Sequence, residues 1–116
     1  MEAFSEALGD EGLKRGVDAS LEGKCSLKLN NRVYFDGKCL ISITSIEKVE
    51  SVVVTDVLGD YFVYINMADE HRRSAEGYWN GEEKSSHADD PLGTLLSKGH
   101  CWINAKAKVC YQSFLH

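Results

Sequence analysis

A chain of 116 residues with 43% apolar residues reads as one domain, able to bury roughly two-thirds of the surface its unfolded form exposes and to fold alone with little stability in reserve. Its 18 acidic residues outnumber 13 basic ones for a formal net charge of −5, and the lysines and arginines are scattered, which argues against a nucleic-acid partner and suits a basic protein better. No stretch approaches the roughly 20 consecutive apolar residues that a membrane span requires.

Residues 2–21 hold the one helix-like pattern, with Phe4, Leu8, Leu13 and Val17 about four apart, but Gly9, Gly12 and Gly16 interrupt it. Residues 1–22 are expected to form a short helix or a leader, and residues 23–116 a β domain. From Cys25 the apolar period changes to two. Leu27 and Leu29 alternate with Ser26 and Lys28, Asn30-Asn31 tolerates positive φ, and Val33 and Phe35 precede a second turn at Asp36-Gly37. Residues 39–44 read as a third strand, the valine-rich residues 51–57 as a fourth and, past a turn at Leu58-Gly59-Asp60, residues 61–65 as a fifth. Residues 66–73 are a polar loop and 74–79 a sixth strand.

Residues 80–91, with Gly81, several acids, two serines and the sole proline, read as a long surface loop of the kind that carries binding function. Strands follow over 93–96 and 101–103, joined at Ser97-Lys98-Gly99, and a last hairpin turns at 104–107 and closes over 108–114. The fold class is all-β, a small antiparallel barrel or sandwich of about eight strands.

The four cysteines fall into two brackets, Cys25 to Cys39 and Cys101 to Cys110, each enclosing a predicted hairpin. Pairing about Ala105-Lys106 would set Cys101 opposite Cys110, from where a cross-strand disulfide forms. Two local disulfides follow, worth about 3 kcal/mol for the first loop and on the order of 2–3 for the second in the chain-entropy model. The intervals of thirteen and eight residues are too long for a zinc knuckle, and no Cys-x-x-Cys redox pair is present. Structural disulfides place the protein in an oxidising compartment, periplasmic or secreted. The acidic N-terminus lacks the apolar core of a signal peptide, so export implies that a signal was removed; the competing reading is a cytosolic protein with four reduced cysteines.

No serine or cysteine nucleophile can be given a partner, and the expectation is no catalytic residue, no metal and no cofactor. His87, with Asp89 and Asp90 close behind, has the composition of an acid–base or metal cluster, but short polar loops of this kind are usually just solvated. Tyr78, Trp79 and Asn80 set two large aromatics beside a hydrogen-bonding amide, suited to stacking on a sugar or anchoring an interface; the competing reading puts Trp79 in the core and Tyr78 over an edge. Trp102 is expected in the interior against a disulfide. Binding is therefore assigned to Tyr78, Trp79, Asn80, His87, Asp89 and Asp90, together with Lys98 and His100 on the following turn.

The runs 31–39, 77–81 and 92–104, with Val109-Cys110, resemble small exported bacterial proteins of uncharacterised function, which implies export. A weaker likeness is to the periplasmic inhibitors of C-type lysozyme, small disulfide-stapled β-barrels that insert a loop serine and a lysine into the enzyme's cleft. Ser74, four residues before Tyr78, and Lys98 match those two positions; Ala75 stands where that family has glycine, and the interval from Tyr78 to Lys98 is longer. The expected function is a non-catalytic exported binding module engaging a protein or cell-envelope partner through its loops. The alternatives are an inhibitor or immunity protein neutralising a basic hydrolase such as lysozyme, through Glu82, Glu83, Asp89, Asp90 and a cleft-plugging Lys98, a hydrolase built on His87 and an aspartate, and a cytosolic regulatory or phage-encoded inhibitor.

Overall fold

The computed structural model describes residues 19–114, which form strands, turns and loops. The helix expected within residues 2–21 lies outside them, except that 19–21 begin the first strand. Eight strands follow in order: β1 (Ala19–Leu29), β2 (Arg32–Ile46), β3 (Val49–Asp56), β4 (Phe62–Met67), β5 (Ser74–Trp79), β6 (Asp90–Lys98), β7 (Cys101–Ile103) and β8 (Ala107–Ser113). Each pairs antiparallel with the next, and β8 pairs with β1, so the sheet closes into an up-and-down barrel rather than a sandwich. Closure pairs every strand on both sides over at least part of its length, which leaves little free edge for another chain to extend.

The period-two pattern decides which side chains enter the barrel. Leu27, Ile41, Val52, Val54, Val63 and Ile65 are almost wholly buried, and so are Leu92, Leu95 and Val109. Each such burial contributes about 1.5–3 kcal/mol against an exposed reference. Two strand glycines keep that interior from overfilling. A Cβ on Gly77 would sit 2.6 Å from Leu95 Cδ1, and one on Gly23 would collide with the Gln112 carbonyl across the β1–β8 ladder.

Three turns differ from expectation. Asp36-Gly37 is not a turn: it pairs with Ser26 and Cys25 in the middle of β2, which joins two expected strands into one of fifteen residues. Local turn propensity yields there to a ladder that grips β2 from β1 and, from Cys39 onward, from β3 as well. The next hairpin turns at Glu47-Lys48, with φ of 52° and 70°, although neither residue advertises a turn; Asn30-Asn31, at 52° and 69°, does so as expected. Between β6 and β7 the turn is Gly99-His100, because Lys98 pairs with Cys101 and so ends the strand.

Both expected disulfides are formed. Cys25 lies opposite Gly37 and Cys39 opposite Gly23, so their bridge runs diagonally between two inward-facing, buried sulfurs. Cys101 and Cys110 are directly paired, with Cα atoms 4.0 Å apart, and are only half-buried. Trp102 is in the core as expected, but the bridge beside it is on the outside, since adjacent strand residues face opposite ways.

Candidate functional site

The barrel's two ends are built differently. The end at the start of β2 and the close of β5 is shut by aromatic rings. Tyr34 sits at a bulge in β2 and leans over Trp79 and Tyr61, its ring centroid 4.6 Å and 5.6 Å from theirs, while the Arg32 guanidinium covers Tyr34 at 4.7 Å. Bulges at barrel rims re-aim a side chain in this way. The loop of residues 80–89 folds over that end and is held by Asn80, which is 4% exposed. Asn80 Oδ1 accepts from the Phe62 amide at 3.2 Å, and Nδ2 donates to the carbonyls of Asp60, Glu82 and Ser85 at 2.9, 2.9 and 3.2 Å. Asn80→Ala should therefore cost about 2–3 kcal/mol in a denaturant titration, because one truncation strips buried groups of their partners.

The outer face of β4, β5 and β6 carries a different set. Tyr64 and Tyr78 are directly paired, Phe62 packs 5.8 Å from Tyr64, and Pro91 pairs with Tyr78 on the far side. Toward the other end, Ser74 pairs with Leu96, which is 58% exposed, and Lys98 stands two residues further along β6 on the same outward face. The Ser97 amide donates to the Arg73 carbonyl at 3.0 Å and fixes this corner. Thr94 bridges to Glu76 between the two groups, its hydroxyl donating at 2.6 Å.

At that second end the described residues leave the barrel open. A cup of about 270 Å³ is lined by Ile43, Val52, Met67 and Trp102 below and by Tyr111, His100 and Ser97 higher up. Alternation with Val52 and Val54 turns Glu50 toward it, and Arg72, at φ 58°, reaches over from the β4–β5 loop to bind that carboxylate at 2.6 Å. Inside, Trp102 Nε1 donates to Tyr111 Oη at 3.0 Å. Burial pushes the Tyr111 phenol above the ordinary tyrosine range, so the ring stays neutral; the Trp102 hydrogen bond opposes this only in part.

The residues assigned to binding do not form one site. Trp79 and Asn80 are inside the closed end as core and loop anchor; the exposed-anchor reading of Trp79 gives way to the core one because β5 alternation points it inward while Tyr78 faces out. His87 and Asp89 are exposed on the loop at the closed end and Asp90, expected in that loop, instead begins β6 opposite Trp79, whereas Lys98 and His100 are at the open end, roughly 26 Å away along β6 at about 3.3 Å per residue. Tyr78 and Lys98 do share the outer face of neighbouring strands. Among the described residues no three of His, Cys, Asp and Glu gather as a metal site, and no helix is long and apolar enough to cross a membrane. The Glu50–Arg72 pair and the Tyr111–Trp102 pair escaped sequence reasoning; a carboxylate in phase with Val52 and Val54 was the available signal. Comparison with protein families, curated proteins and solved structures finds no match to this chain.

Proposed function

We propose that the protein is a non-catalytic binding module, exported to the periplasm or beyond, that blocks a hydrolase by presenting the Ser74–Lys98 corner of its open rim. The observation that carries this reading is the meeting of Ser74 and Lys98. They are 24 positions apart in sequence, yet they stand on paired strands, on one outward face, a single diagonal step from each other. Diagonal neighbours on a sheet face are about 7–8 Å apart, close enough to enter one cleft together. Leu96 lies between them as an exposed apolar contact, and Gly99-His100 makes the tip of the hairpin narrow. Rigid β strands hold the pair at little entropic cost on binding. The likeness to inhibitors of C-type lysozyme names the same serine and lysine, and the closed eight-stranded barrel with two disulfides agrees with it in architecture. The buried Cys25–Cys39 bridge supports an oxidising compartment.

The test is inhibition of a C-type lysozyme by the purified protein, read as residual lysis of bacterial cell walls and as affinity by calorimetry. Inhibition is expected. Lys98→Ala should weaken it at least tenfold and Ser74→Ala severalfold, each with an unchanged melting temperature, since both side chains face outward. Full lytic activity at saturating protein, or Lys98→Ala inhibiting like the wild type, would refute the reading.

A further inference from the structure

We infer that the cup at the open end is a binding site for a small uncharged aromatic molecule bearing a hydrogen-bond acceptor, which lies against Trp102 and accepts the Tyr111 hydroxyl proton. The inference goes beyond the inhibitor reading and does not depend on it, since it concerns the inside of the barrel rather than its outer corner. Three observations carry it. The first is size. About 270 Å³ is close to the lower limit of ligand pockets and well above the ~150 Å³ void that takes up benzene, so a single ring with a short substituent fits. Eight-stranded barrels have interiors that either fill with side chains or hold one small ligand. Here the closed end is filled by Tyr34, Tyr61 and Trp79, and the open end is not filled by any described residue.

The second observation is the lining. Small exposed parts of Trp102 and Met67, with Ile43 and Val52, make an apolar floor whose ring and thioether favour an aromatic guest over an aliphatic one, while Glu50, Arg72, Ser97 and His100 make the wall polar. The third is the polar chemistry. Glu50 and Arg72 neutralise each other at the rim, so neither leaves an unpaired charge to recruit a charged guest. Tyr111 Oη already accepts from Trp102, and no described residue accepts the phenol's own proton. That hydroxyl is therefore free to donate to a guest in the cup. A second hollow of about 300 Å³ adjoins the cup across Ile43, His100 and Tyr111 and gives the guest's substituent a way out.

Acetophenone is a suitable probe, with ethylbenzene as the same body lacking the acceptor. Proton–nitrogen correlation spectra of the full-length protein report on two tryptophan indoles, Trp79 and Trp102. Acetophenone is expected to shift the Trp102 indole signal saturably and leave that of Trp79 in place. Tyr111→Phe should weaken acetophenone about fivefold, the effect of one lost hydrogen bond, and leave ethylbenzene unchanged. Val52→Phe, which fills the cup, should abolish both shifts, and it serves if Tyr111→Phe folds poorly. The inference is overturned if acetophenone at its solubility limit does not move the Trp102 indole, if Val52→Phe binds as the wild type does, or if a folded Tyr111→Phe binds acetophenone at wild-type strength.

Discussion

Trp79→Ala is expected to destabilise the protein by about 3–5 kcal/mol, while Tyr78→Ala, its neighbour in sequence, should cost under about 1. Trp79 is 5% exposed and packs 4.6 Å from Tyr34 and 6.0 Å from Tyr61, so its removal leaves a void under the rings that shut the barrel end. Tyr78 faces out from the same strand, where solvent fills the space a truncation leaves. For a domain of roughly this size each kcal/mol moves the melting temperature by about 4–8 °C, so Trp79→Ala should lower it by at least about 12 °C. Thermal melts of the two variants decide the matter. Similar losses from both would mean that the assigned faces of β5 are wrong.

The second large effect concerns the disulfides, which differ more in burial than in loop length. Sequence separations of 14 and 9 give similar chain-entropy contributions, about 3 and about 2.7 kcal/mol. Cys25 and Cys39, however, are 1% and 4% exposed, so replacing both with alanine also removes two sulfurs from a packed interior and should cost about 4–5 kcal/mol in all. The same double replacement at Cys101 and Cys110, on the outer face, should cost about 2–3. Under mild reductant the outer bridge should open first, because a thiolate must reach a disulfide sulfur to attack it. Timed alkylation with mass mapping gives the order, and denaturant titration of the two double variants gives the energies. Equal costs, or earlier loss of Cys25–Cys39, would contradict the burial argument.

What could be read from the chain follows from local rules. Period-two alternation about Leu27 marks the first strand, valine-rich and aromatic runs mark the strands that hold Val52, Val54, Val63 and Ile65, asparagines tolerant of positive φ mark the first hairpin, and cysteine spacing within hairpins marks both bridges. These hold because each depends on residues a few positions apart on one strand or one turn. The glycine of Asp36-Gly37 misled for the same reason. It is a turn signal only while its neighbours are ignored, and the ladder to β1 overrides it.

The candidate site was less legible because it is made by strand register across a long connection. Nothing near Ser74 in sequence says that Lys98 will stand beside it, and nothing near Glu50 announces Arg72. Lys98 and the 80–89 loop, close in sequence, end at opposite rims because an extended strand carries the chain about 3.3 Å with every residue. By itself, then, the sequence determined an all-β chain with two local disulfides, since period and propensity act within a strand. Only the tertiary structure decided that the sheet closes on itself, which end is shut and which is open, and which distant side chains share a rim. Those depend on strand register around the whole barrel, to which every hydrogen-bonded pair contributes and which no short segment encodes.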